Sequence, residues 1–336
     1  MPEPSPTPST SRRRGRLLRT GAALVVLLAV AAYLAVQYVT GGAGGPGCRV
    51  VAADGDGETY EFSPEQAVNA ATITAVGTAR GLPERAVTIA LATALQESAL
   101  RNIDHGDRDS LGLFQQRPSQ GWGTERQIMD PIYSAGMFYD HLVEVPDYTE
   151  LPLTVAAQRV QRSGFPEAYA KHEPDAALLA AALTGRAGGT LTCAGRPDAV
   201  RAAGPDAVRD ALLRDFGRDA VQQAGSAVPD AAAASPAPAP APATSVPEAE
   251  TSGRTVTVPV EGAGRDGRDA GERGWQFAHW AVANASALRI ERVSYAGREW
   301  IAGRTDSQWR PVAEDAKGGD GADGAAEAAV RIVTAQ

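Results

Sequence analysis

The chain has 336 residues, a formal charge of −8 and a pI near 5.2. Such a length accommodates about two domains of ordinary size. The acidic balance argues against nucleic acid as the main partner, and positive charge is nearly all arginine, since lysine occurs only at 171 and 317.

In chain order, residues 1–20 lack an apolar face and carry a basic cluster at Arg12, Arg13, Arg14, Arg16 and Arg19, which reads as a cytoplasmic tail. Residues 21–39 then run without a charge. As a helix they would span about 28 Å, enough for one crossing of a bilayer core. Arginines before the run and none just after it predict a cytoplasmic N-terminus and an extracytoplasmic remainder. The "AVA" at 29–31 resembles a signal-peptide cleavage site. Because the apolar run continues to Val39, the expectation is an uncleaved signal-anchor, a single-pass transmembrane helix in the cell membrane. A Gly-rich stalk is expected at 40–62.

A domain follows at 63–193. "FSPEQAV" predicts a helix capped by Ser63 with Pro64 in its first turn. Gly81 ends it, and Pro83 opens a second helix reaching Ser98. Ala86, Val87, Ile89, Ala90, Leu91, Ala94 and Leu95 make that helix apolar almost all round, the mark of a central, buried element. Further helices are expected at 131–145, 150–163 and 174–184, and no alternating strand pattern appears. The expected fold class here is mainly α. Cys48 and Cys193 bracket the domain on the expected outer side, so a disulfide between them is predicted. There is no C-x-x-C, and the four histidines are scattered, which leaves no metal site or cofactor to expect.

Residues 194–228 read as a helical extension in which "PDAVR" occurs at 197–201 and again at 205–209. A Pro/Ala linker, 229–253, contains "SPAPAPAPAT" and is semi-rigid by composition. A small α+β domain is expected at 254–336, built from the strand "RTVTVPV", the helix "GERGWQFAHWAVANASAL", the hairpin "IERVSYAGREWIAG" and the strand "AAVRIVTA". Trp275, Trp280, Trp300 and Trp309 fall in it and read as core. "KGGDGADG" at 317–324 reads as a mobile loop.

The stretch "LATALQESALRN", 91–102, places a carboxylate, Glu97, at the end of the apolar helix. Cleaving a glycosidic bond requires a carboxylic acid that stays protonated near neutral pH. Burial raises a carboxyl pKa, and so does the negative end of a helix dipole. Glu97 meets both conditions. The polar, aromatic stretch "DSLGLFQQRPSQGWG", 109–123, would form the opposite wall of a cleft. Ser110, Gln115 and Gln116 supply hydrogen-bonding groups there, and Trp122 supplies a flat stacking surface. Asp104, Asp107 and Asp109 read as solvated or capping acids, and their spacing does not fit a calcium loop.

Glu97-Ser98 followed by Gly112-Leu113-Phe114-Gln115 resembles the lytic transglycosylase and goose-type lysozyme superfamily. There a helix ending in Glu-Ser precedes a Gly-Leu-Met-Gln turn, and Phe114 stands in the methionine's place. "DPIYSAGMFYDHL", 130–142, is similar to the helix that follows in that family, with Gly136 allowing close packing. The resemblance implies a lysozyme-like fold at 63–193 and peptidoglycan glycan strands as the partner. It implies that Glu97 protonates the bond between N-acetylmuramic acid and N-acetylglucosamine, then acts as base on the muramoyl C6 hydroxyl. Ser110, Gln115, Gln116 and Trp122 would contact the sugars. The resemblance covers about 80–100 residues of this one domain and none of the linker or C-terminal domain, which is separately expected to dock to wall or protein. That family carries an Ala-Tyr-Asn segment whose tyrosine touches the catalytic glutamate. "AAQRVQRSGFPEAY" lacks it; Gln161 falls nearest that place and Tyr169 is the next hydroxyl. Two alternatives stand beside the lyase: a muramidase using a loop acid as second carboxylate, and a non-catalytic wall-binding scaffold.

Overall fold

The computed structural model describes residues 47–53, 57–163, 166–195, 204–217, 250–260, 269–304, 308–312 and 329–335. Strands β1 (Cys48–Val51), β2 (Thr59–Phe62) and β3 (Leu191–Cys193) form an antiparallel sheet in the order β2-β1-β3. Its register sets Cys48 opposite Cys193, and the two are joined as a disulfide. Val50 and Phe62 point into the core, which gives the short sheet one buried face.

Helix α1 (Pro64–Ala79) starts where Ser63 and Gln66 cap each other reciprocally: the Ser63 side chain accepts from Gln66 N at 3.3 Å, and Ser63 N donates to Gln66 Oε1 at 2.7 Å. The Gln66 amide also donates to the Ala99 carbonyl at 2.8 Å. One side chain therefore starts α1 and ties down the turn after α2 (Glu84–Ser98). Both helices are rich in Ala and Thr. Several of their buried threonines return hydroxyls to their own helix, as Thr74 does to Ala70 O at 2.9 Å and Thr93 to Ile89 O at 2.7 Å, so these hydroxyls are satisfied inside the core.

Around this pair pack α3 (Glu125–Ile128), α4 (Pro131–Val143), α5 (Leu153–Gln161) and α6 (Glu173–Leu183). Tyr139 of α4 donates to Ile73 O at 3.0 Å. Gly136 lies under the Arg80 guanidinium, which donates to its carbonyl at 3.0 Å. A Cβ there would meet that side chain at 2.8 Å, so the close packing expected at Gly136 is made with the arginine that follows α1.

The chain from 250 onward packs on this body. A second antiparallel sheet contains β4 (Glu250–Ser252), β5 (Thr255–Pro259), β6 (Ile290–Tyr295), β7 (Arg298–Ile301), β8 (Arg310–Pro311) and β9 (Ala329–Thr334), in the order β4-β5-β9-β6-β7-β8. Helices α7 (Pro205–Phe216), α8 (Ala270–Ala283) and α9 (Ala285–Leu288) complete the described α-helices, and short 3-10 turns lie at Pro118–Gln120 and Pro166–His172. Trp300 Nε1 donates to Cys193 O at 3.1 Å and Trp309 Nε1 to Leu191 O at 3.0 Å, so two of the expected core tryptophans seal the outer edge of β3. Trp280 Nε1 donates to Asp215 Oδ2 at 2.8 Å, and this buried carboxylate also takes Thr72 and Arg214. The described residues from 47 onward accordingly cluster as one compact unit.

The fold differs from the expected class. A transmembrane helix, a mainly α domain and a separate α+β domain were expected. The described residues instead hold nine helices and two β-sheets in one α+β body, and none of those helices is long and apolar enough to cross a membrane. Cys48–Val51 and Thr59–Phe62, expected as stalk, are instead paired antiparallel strands. Each is four residues long and β3 is three, too short for alternation to register in the sequence. The span at 21–39, the first "PDAVR", the core of the linker and the 317–324 loop lie outside the described residues.

His279 of α8 is fully buried at the seam. Its Nδ1 faces Ala182 O at 2.7 Å, while Gly189 N donates to Nε2 at 3.1 Å, an arrangement that needs the neutral ring. Burial pushes its pKa down to about 4, with the Ala182 carbonyl opposing. The stabilisation is complete above the unfolded value of about 6.5 and is lost as pH falls through the folded value, roughly 3 kcal/mol in all. Thermal melts are expected to weaken between pH 6.5 and 4 in the native chain and less so in His279→Gln. An equally steep fall in that variant would remove His279 as the source.

Candidate active site

Glu97 occupies the last turn of α2, and the chain leaves that helix abruptly. Ala99 and Leu100 take left-handed φ values of 52° and 58°, a conformation costing about 1–2 kcal/mol per non-glycine residue. Hydrogen bonds hold the turn: Leu100 N donates to Ala94 O at 3.0 Å, and Asn69 Nδ2 donates to Leu100 O at 2.8 Å. Ser98, the partner in the Glu-Ser pair, is buried and donates to Leu113 O at 2.8 Å. It is thus the pin between α2 and the following loop.

That loop closes as a tight turn in which Leu111 and Gln116 exchange backbone hydrogen bonds of 2.9 and 3.0 Å. Gly112 sits at φ 76°, where a Cβ would meet Ile128 O at 2.8 Å, so both conformation and space require glycine. Phe114 is fully buried and stacks on Phe138 with ring centroids 4.7 Å apart; it packs the core while its carbonyl accepts Gln161 Nε2 at 2.7 Å.

The result is a cavity of about 790 Å³ whose lining includes Glu97, Ser110, Gln115, Gln116, Trp122 and Gln161. Tyr169, from the segment before α6, donates its hydroxyl to Glu97 Oε1 at 2.6 Å. All seven residues singled out from the sequence therefore surround one space or touch its carboxylate. Gln116 Nε2 donates to Ser134 O at 2.9 Å, which anchors the loop to α4, and its buried Oε1 has no protein partner. Gln115 Nε2 lies 3.3 Å from Gly112 O and 3.4 Å from His105 O, and so braces its own turn. Trp122 meets the His141 ring at a steep angle, with centroids 4.4 Å apart, so one wall of the cavity is aromatic.

No protein-family model matches the chain, and no curated protein matches it. Its chemistry rests on its own side chains. Burial is the largest influence on Glu97 and raises its pKa above the usual carboxylate range; hydrogen bonds from Tyr169 and then Gln161 pull it partly back. Tyr169 is raised in turn, first by burial and then by the Glu97 charge. The arrangement suits a group that gives up a proton and takes it back.

The loop acids divide. Asp109 accepts from Ser119 N at 2.9 Å and Arg117 Nε at 2.7 Å, and these partners, Ser119 first, hold its carboxyl well below the usual range. It is a loop brace. Asp104 is exposed beside His105, while Asp107 lines the cavity. Among the described residues no three His, Cys, Asp or Glu gather as a metal site. Glu144, His141, Arg108, Arg117, Arg159 and Arg162 also line the cavity and were not singled out from the sequence. Arg162 follows the last residue of α5 in a left-handed turn, so helical spacing does not pair it with Arg159, and only the turn brings both to the cavity wall.

Proposed function

We propose that the chain is a peptidoglycan lytic transglycosylase acting outside the cytoplasm. The observation that carries this reading is one partly buried carboxylate, Glu97, raised in pKa, held by Tyr169 and open to a cavity large enough for sugar rings. The Cys48–Cys193 disulfide supports an oxidising, extracytoplasmic setting.

Glu97 donates its proton to the glycosidic oxygen as the bond to muramoyl C1 breaks, and the sugar's own acetamido group steadies the cationic carbon. The Glu97 carboxylate then removes the C6 hydroxyl proton while that oxygen bonds to C1. The product is a 1,6-anhydro end, the acid is regenerated, and no water is consumed. Tyr169 and Gln161 hold the carboxylate in the interval between the two steps. In place of the family's Ala-Tyr-Asn tyrosine, a hydroxyl further along the chain meets the glutamate.

A second reading, hydrolysis by the same acid, is favoured by Asp107 and Glu144, two more carboxyls on the cavity wall. Digesting defined peptidoglycan with the purified chain and weighing the fragments separates the outcomes. Anhydro ends support the lyase, reducing ends support the hydrolase, and intact strands would leave a wall-binding protein. Tyr169→Phe is expected to lower the rate about tenfold, the scale of one hydrogen bond to a charged group. Because the lost bond favoured the ionised form, the Glu97 pKa rises further and the high-pH limb of activity moves to higher pH. A limb that stays in place would dissociate Tyr169 from the titration of Glu97.

A further inference from the structure

Four arginines line the Glu97 cavity, and their neighbours differ. Arg117 is bonded to Asp109 at 2.7 Å, and Arg108 lies 4.0 Å from Asp107. Arg159 and Arg162 are exposed and form no ion pair among the described residues. They flank Gln161, which contacts Glu97 and donates to Phe114 O at 2.7 Å. The turn is rigidly built: Arg162 N donates to Gln158 O at 2.8 Å, Arg162 takes φ 52°, and Gln158 Nε2 donates to Ser163 O at 2.7 Å. Two arginines with no ion pair among the described residues thus line the cavity, within one helical turn along the chain of the residue that touches the acid.

We infer that Arg159 and Arg162 form an anion-binding rim that takes the free carboxylates of the peptide stem borne by the sugar being cleaved. This rests on the functional reading above. The muramoyl residue whose C1 bond faces Glu97 carries its stem on the same ring, so the stem has to leave the cavity close to the acid. Guanidinium groups suit the recognition of carboxylates, which they can grip with two parallel hydrogen bonds. A solvated pair favouring only the C-terminal end of α5 is the competing account.

The test measures binding to the full chain bearing Glu97→Gln, so that substrate survives. Its probes are a peptidoglycan tetrasaccharide with tripeptide stems and the same tetrasaccharide stripped of stems by an amidase. The stemmed probe is expected to bind more tightly, and adding Arg159→Gln with Arg162→Gln is expected to shrink that preference about fivefold, with a shallower salt dependence. Equal weakening toward both probes, or an unchanged preference in a variant with the parent's melting temperature, would overturn the rim. Failure of the Glu97→Gln chain to bind either probe would overturn the functional reading itself.

Discussion

Glu97→Gln is expected to abolish release of anhydro-muropeptides, lowering the rate by about 10²–10⁴-fold, the range associated with a positioned general acid–base. The same substitution is expected to make the protein more resistant to heat at neutral pH. Glutamine keeps the size and accepts the Tyr169 hydrogen bond at 2.6 Å, but it cannot ionise. Because the folded-state pKa of Glu97 is raised, its favourable contribution is complete below the unfolded value and is lost as pH rises through the folded value. The melting-temperature advantage of the variant should therefore be absent in acid and grow with pH across that interval. Rate loss with lowered heat resistance would indicate a damaged fold, and unchanged release would remove Glu97 from the chemistry.

The second large effect concerns the disulfide. Cys48→Ala with Cys193→Ala is expected to cost about 5 kcal/mol in the chain-entropy account, because the bond closes a loop of sequence separation 145. For a unit of this size that corresponds to about 10 °C in melting temperature. Structure amplifies the loss. β1 pairs with β3 over three register positions, and the Trp300 and Trp309 hydrogen bonds end on β3 carbonyls. Loosening β3 therefore loosens the seating of the second sheet. No residue of β1, β2 or β3 lines the Glu97 cavity, so activity well below the melting transition should survive. A difference under about 1 kcal/mol between oxidised and cysteine-free protein would contradict this account.

The helices around the site were legible because their signals are local. Ser63 and Gln66 cap α1, Pro83 precedes α2, and the apolar residues of α2 face inward at helical spacing. The disulfide was legible because two cysteines allow one pairing. The three-stranded sheet was not, since three- and four-residue strands carry no period. Nor was the merging of the chain beyond 250 with the helical body. A buried tryptophan announces that it wants a partner, but nothing local says that the partner of Trp300 is the Cys193 carbonyl.

Seen by itself, the sequence determined that a carboxylate ends an apolar helix and that a Gly-punctuated polar turn follows it, because capping, periodicity and glycine all act within a few residues. Only the tertiary structure decided what tunes that carboxylate. Tyr169 is 72 residues away along the chain and arrives through the packing of a separate segment. Proximity of that kind is set by the burial of the whole core rather than by any local preference.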